Sequence, residues 1–150
     1  MKKILTIILL FLSTSILSAN ERDAQLDKLF NELKKNISSS SSNIAQQIWT
    51  LWSTHPTDHK LTLILDEGSK LVQDQKLYKA IEVFTQVIEL DPNWAEAWNK
   101  RATVLYMIGE YQESQNDIDK VLNLEQRHFG ALAGQGLVCL LYTSPSPRDS

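Results

Sequence analysis

His55 and His59 stand four residues apart, with Asp58 between them, in "STHPTDHK" (53–60). On a helix that spacing would put two imidazoles on one face, as a metal site requires. Pro56 lies between them, cannot continue a helix, and pushes His55 toward extended backbone. With no third ligand in obvious reach the two histidines read as turn residues, and no metal is expected. "GALAGQG" (130–136) has the glycine density of a phosphate-cradling loop, but no strand precedes it. Asp117 and Asp119 form a carboxylate pair on an outward-facing helix, without the cleft that acid–base work needs. There is no G-x-S-x-G elbow, no H-E-x-x-H and no Cys/His dyad. Neither an enzyme nor a cofactor is expected.

Bulk properties narrow the class further. The 150 residues are one domain in size, and 43% hydrophobic with 22% charged content is ordinary for a globular chain. No basic patch appears and the net charge is −3, which argues against nucleic acid as a partner. Residues 1–19 have a different logic. Met1-Lys2-Lys3 is basic, Ile4 to Leu17 is nearly all apolar, and Ser18-Ala19 ends in small residues. This is the layout of a secretory signal with cleavage after Ala19, and it predicts a periplasmic or secreted protein. The apolar run is short of the roughly 20 residues that cross a bilayer, so an uncleaved anchor is the alternative and no other membrane role is expected. Without Lys2 and Lys3, thirteen basic residues face eighteen acidic ones, a net charge of −5. Cys139 is the single cysteine, so no internal disulfide can form and packing must supply the stability.

The elements that must position any site are helices. Leu26, Leu29, Phe30 and Leu33 recur at three and four, one stripe of an amphipathic helix over 22–35. "NISSSSSN" (36–43) breaks it as a small polar connector. A second helix carries Ile44, Ile48, Leu51 and Trp52 on one face, flanked by Trp49, with Asn43 placed as its N-cap. The stripes Leu29/Phe30/Leu33 and Ile48/Trp52 are expected to pack as a helical hairpin across residues 20–60.

From Leu61 onward the sequence repeats with a period of 34. Gly68, Ala102 and Gly136 share a column, as do Leu71 and Leu105, Ala80 and Ser114, Phe84 and Ile118, Val87 and Val121, and Leu90 and Leu124. That period is the length of one helix–turn–helix unit. Residues 61–138 resemble tandem tetratricopeptide repeats: 61–94, 95–128, and a third begun at Phe129. Trp98, Ala102, Tyr111, Ser114 and Ile118 occupy the motif's aromatic, small, aromatic, small and bulky positions in "LDPNWAEAWNKRATVLYMIGEYQES" (90–114) and just beyond. Pro92 ends the first unit, Asp91 or Asn93 is expected to cap the next helix, and Gly109 makes the turn inside repeat two. Gln126 replaces the terminating proline after repeat two, which predicts a softer boundary there. With "LDKLFNEL" and "IWTLW" ahead of the repeats, the layout is similar to small exported alphaproteobacterial proteins of this family that have no established activity. The final "CLLYTSPSPRDS" (139–150) fits neither the repeat nor the hairpin and resembles a translated sequencing adaptor. It leads to the expectation of a truncated third repeat and a non-native tail. The expected fold is therefore all-α, a hairpin followed by a short right-handed solenoid.

The resemblance implies function through its inward-facing positions. These map to Thr62, Leu65, Ser69 and Val72 in repeat one, and to Glu96, Asn99, Thr103 and Tyr106, with Met107 beside them, in repeat two. Asn99, Thr103, Tyr106, Glu96 and Ser69 are the expected partner-contacting residues, with Lys100 at the rim. The chaperone-tail clamp of some relatives needs Lys and Asn in repeat one, where Leu65 and Ser69 stand. A protein or peptide partner of other chemistry is expected. Self-association through the apolar face of the last repeat (Leu132, Leu137, Val138) is the competing expectation. The seventh motif position reads Glu67, Arg101 and Gln135, which suggests an inter-repeat Glu67–Arg101 ion pair. His128, at a repeat boundary, is expected to be a helix-end residue that favours the dipole.

Overall fold

The computed structural model describes residues 20–35 and 41–143. The segment expected to be a secretory signal, most of the serine run and the end of the expected non-native tail lie outside these residues. Among the described residues every regular element is a helix. Helix α1 covers residues 20–35, and α2 to α7 follow as Ser41–Ser53, His59–Gln73, Leu77–Leu90, Ala95–Met107, Tyr111–Leu124 and Phe129–Thr143. None is long and apolar enough to cross a membrane. The contacts divide the chain into two compact units, residues 1–62 and 63–150.

In the first unit α1 and α2 meet through the residues whose spacing marked them. Leu26, Leu29, Ile44, Ile48 and Trp52 are buried. The Phe30 and Trp52 rings lie 6.0 Å apart, and Trp49 meets Trp52 edge-on at 5.6 Å. Arg22 Nη2 donates to the Leu51 carbonyl at 2.9 Å, tying the start of α1 to the end of α2. The N-cap assignment is corrected: α2 already runs from Ser41, so Asn43 lies inside it and its Oδ1 accepts from Gln47 Nε2 at 2.7 Å. Serine lowers helix propensity only mildly, so an apolar face three residues later can extend the helix back over it.

His55 is the pivot of the next turn. Its Nδ1 accepts the backbone N–H groups of Asp58 at 2.9 Å and Thr57 at 3.3 Å, and its own N–H donates to Thr62 Oγ1. Asp58 then starts α3, its Oδ1 accepting the Lys60 N–H. His55 is buried and His59 is exposed, so the two rings serve different surroundings.

The second unit shows the 34-residue period as geometry. The turns within repeats one and two are the same motif. Lys76 N–H reaches the Leu71 carbonyl and Gln75 N–H the Val72 carbonyl, and Glu110 and Gly109 do the same to Leu105 and Tyr106. Each pair of bonds closes a helix C-terminus on a residue in the left-handed region. That residue is Gly109 at φ 89° in one turn and Gln75 at φ 59° in the other. Glycine adopts this conformation freely, whereas Gln75 is held there by the turn.

The links between repeats also match. Asp91 and Glu125 are extended at φ −141° and −143°, each donating its N–H to a valine carbonyl, Val87 or Val121. The Asp91 side chain accepts the Asn93 N–H, and the Glu125 side chain accepts the Arg127 N–H. These carboxylates close their own turns. Neither Asp91 nor Asn93 caps α5, whose N-cap position is Trp94, with no side-chain capping bond. At the boundary where Gln126 stands in place of proline, Glu125 also takes the Arg127 guanidinium at 2.9 Å.

Packing explains the small-residue column. A Cβ built on Gly68 would strike the ring of Phe84, with Cδ1 at 2.9 Å, and Phe84 is fully buried with nowhere to retreat. In repeat two Ala102 takes the same place, and Ser114 Oγ donates to the Ala102 carbonyl at 2.8 Å. Ala102, Ile118, Val121, Ala131 and Val138 form one buried cluster that joins α5, α6 and α7. The third member of the column behaves differently. No atom of the described residues lies within 4 Å of a Cβ built on Gly136, whereas one on Gly134 would meet Ile118 Cδ1 at 3.2 Å.

Two outcomes follow. Gln75→Gly should stabilise the protein by about 0.5–1 kcal/mol, read as a raised urea midpoint with unchanged slope, because it relieves the left-handed strain. Burial pushes the Glu125 carboxyl up, but the Arg127 side-chain and backbone hydrogen bonds, with the Arg127 charge, outweigh it and hold the group below 4.5. A carboxylate depressed in the folded state stabilises above its unfolded value and loses that contribution as pH falls. Glu125→Gln should therefore be less stable than the parent at pH 7, and urea titrations should show the gap closing below pH 4.5.

Candidate functional site

A cleft of about 180 Å³ opens between α5 and α7 with α6 as its floor. The floor and walls are small or apolar: Ala102, Ile118, Gly130, Ala133, Gly134 and Leu137. Asn99, Thr103, Tyr106 and Met107 line its α5 side at helical spacing, one turn after another, and Ser114 adds a third hydroxyl-bearing side chain to the lining. Three of the five residues expected from the sequence thus come together. Met107 remains 46% exposed at the mouth. Tyr106 packs against the core cluster beneath and tilts onto Tyr111, with ring centroids 5.4 Å apart. Thr103 Oγ1 donates to the Asn99 carbonyl at 2.9 Å, which fixes its rotamer within the helix.

The other two residues behave differently. Ser69 lies on α3, where its Oγ donates to the Leu65 carbonyl at 3.0 Å, and it is not part of the cleft lining. Leu65, read as inward-facing, is 1% exposed and belongs to the core. Glu96 is completely buried, so it presents no surface of its own. Its Oε2 accepts from Asn99 Nδ2 at 3.1 Å and lies 3.0 Å from His128 Nε2. Lys100 Nζ approaches the other carboxylate oxygen at 3.5 Å, and Glu96 sits in the first turn of α5, where a negative charge suits the helix dipole.

His128 is also completely buried, and its role differs from the dipole reading. It stands at the N-terminus of α7, where a cationic ring would oppose the dipole. Instead Nδ1 accepts the Ala131 N–H at 3.2 Å. That bond leaves the ring proton on Nε2, from which it is donated to Glu96. The consequences reach the cleft. A carboxylate only accepts, so Glu96 fixes which end of the Asn99 carboxamide faces it, and Asn99 is left with its oxygen free to accept a bond from a ligand. Neither spacing nor residue type signalled this. Glu96 and His128 are 32 positions apart, and only the seating of α7 beside α5 brings them together.

Arg101 corrects a second expectation. It does not reach Glu67, which is exposed on α3. Its Nε and Nη2 donate to the two carboxylate oxygens of Asp117 at 2.8 Å each, and Nη1 donates to Thr85 Oγ1 at 3.0 Å. The guanidinium also sits 5.1 Å from the Trp98 ring, which Lys120 approaches from 6.0 Å. Asp117 is therefore buried rather than outward-facing, while Asp119 is exposed and accepts from Gln115. One arginine joins helix B of repeat one to both helices of repeat two. Such a bidentate pair has more geometric definition than the single surface contact first expected. Trp98 is anchored besides by its Nε1, which donates to the Pro92 carbonyl at 2.9 Å.

Known proteins share this pattern. The chain is 35% identical over 115 residues, 76% of its length, to a TPR repeat-containing protein of Rhizobium etli. It is 28% identical over 87 residues, 54% of its length, to sperm-associated antigen 1 of Rattus norvegicus. The chain spans 56% of the length of the first relative and 10% of the second. No family model matches the chain. Paired antiparallel helices repeat every 34 residues, their small residues lie at the closest approach, and a curated repeat protein aligns along three quarters of the sequence: the chain belongs to the tetratricopeptide-repeat proteins.

Proposed function

We propose that this protein is an exported adaptor that holds a peptide or protein partner in the cleft between α5 and α7. The observation that carries the reading is the cleft's composition. Apolar and glycine walls surround a side-chain acceptor, Asn99, whose orientation is set from behind by Glu96 and His128. At about 180 Å³ it is smaller than the roughly 300–1,000 Å³ of small-molecule pockets, so it suits one or two side chains of an extended segment rather than a cofactor. Asn99 then accepts a backbone N–H of that segment, while Tyr106 and Met107 cover its apolar side chains. Binding rather than catalysis is further supported by the histidines: His55 closes a turn and His128 caps a helix. No cluster of three or more His, Cys, Asp or Glu suited to a metal ion occurs among the described residues. Export rests on the basic, apolar and small succession of residues 1–19.

The test is site-specific photocrosslinking in the cells that express the full chain. A benzophenone amino acid at position 107 should yield a discrete protein adduct, and one at the exposed position 112 should not. Thr103→Glu in the position-107 protein should reduce the adduct at least tenfold with an unchanged circular dichroism spectrum, since Thr103 is on the surface. Equal labelling from positions 107 and 112 would count against the cleft as the binding surface.

A further inference from the structure

Granting the cleft between α5 and α7 as the docking site proposed above, on which this reading rests, we infer that it selects a small hydroxyl-bearing residue of the partner, threonine or serine, through Ser114. A hydroxyl has one proton to give and two lone pairs that receive. Two of the lining hydroxyls have already given theirs. Ser114 Oγ donates to the Ala102 carbonyl at 2.8 Å, and Thr103 Oγ1 to the Asn99 carbonyl at 2.9 Å. Asn99 turns its Nδ2 toward Glu96 Oε2 at 3.1 Å, which leaves its oxygen to accept. Three polar side chains of the lining, on two helices, thus offer acceptors to an occupant. The Tyr106 hydroxyl, about one turn beyond Thr103 on α5, can donate or accept.

Ser114 sets this floor apart from the equivalent place in repeat one. Its column holds Ala80 there, and the two residues are buried alike, at 1% and 0% exposure. A methyl group therefore satisfies the packing, and the hydroxyl is an addition. The cleft holds about 180 Å³, and its Ala102, Ala133 and Gly134 walls let a partner backbone approach closely enough to bring a short side chain to the floor. A threonine there gives its proton to Ser114 Oγ and lays its methyl group against Ala102 and Ile118, while its backbone N–H goes to Asn99 Oδ1. Valine has the same shape and no proton to give. Aspartate brings acceptors to acceptors, and its charge enters a lining without a charged side chain, close to the buried Glu96 carboxylate. Proline lacks the N–H that Asn99 receives.

The test is selection of a random library of N-acetylated, C-amidated octapeptides on the immobilised full chain. The bound pool should enrich threonine and serine at one position about fivefold over valine, the scale of one hydrogen bond, and deplete aspartate, glutamate and proline there. The companion protein is Ser114→Ala, whose packing the Ala80 column vouches for and circular dichroism checks. It should select the same flanking residues with valine now equal to threonine. Hydroxyl enrichment that survives Ser114→Ala would overturn the inference, and so would selection by the parent protein with no hydroxyl preference. In both cases loss of selection in Thr103→Glu would leave the docking site itself standing. Selection that Thr103→Glu leaves intact, or no enrichment at any position, would overturn the cleft as the binding surface and this reading with it.

Discussion

Close approach of antiparallel helices, permitted by one small side chain per pair, is the constraint on which this structure depends. Where Gly68 lies under the Phe84 ring there is no room for a methyl group, and where Ala102 meets Ser114 the serine hydroxyl reaches the backbone carbonyl itself. Helices held this close bring their large residues into register, and Ile118, Val121, Ala131 and Val138 then form one cluster across three helices. Overpacking at such a contact is destabilising because a densely packed interior transmits the displacement instead of absorbing it. The period of 34 follows from the same requirement, since each pair must offer its neighbour the surface that it received.

Polar groups were fitted around that packing and provide what apolar contacts lack, which is direction. Arg101 satisfies both oxygens of Asp117 and the Thr85 hydroxyl, so the relative rotation of α4, α5 and α6 is defined by donors at fixed angles. Glu96 and His128 do the same between α5 and α7. A buried carboxylate is costly unless its charge is compensated. For Glu96 the hydrogen bonds of Asn99 and His128 both fall on Oε2, while Oε1 has no hydrogen-bond partner and is met by the Lys100 charge at 3.5 Å. The arrangement also links packing to the cleft lining, because Glu96, which orients the Asn99 carboxamide, is a residue that the fold must satisfy anyway.

Much of this was legible in the residues. Leu29, Phe30, Ile48 and Trp52 announced the first two helices by spacing, and Gly109 announced its turn by type. The alignment of Ala80 with Ser114 and of Phe84 with Ile118 implied the paired helices before any coordinates. Other features left no mark. Gln75 takes the same left-handed conformation as Gly109, but nothing in its chemistry favours that conformation, so only the coordinates revealed it. At the turn that lacks proline Glu125 holds Arg127, a pairing of neighbours that a motif comparison does not register.

The sequence by itself determined which segments become helices, where they stop and which faces they bury, because these depend on short-range spacing, on proline and glycine, and on a pattern repeated at fixed intervals. Tertiary structure alone decided the partners of the charged groups. Arg101 was assigned to a carboxylate one repeat away and chose one on the next helix, and Glu96 was placed on the surface of a groove and lies beneath it. A long side chain can reach several helices. Which of them it meets depends on how the backbones are seated in three dimensions, and the order of residues along one helix does not record that.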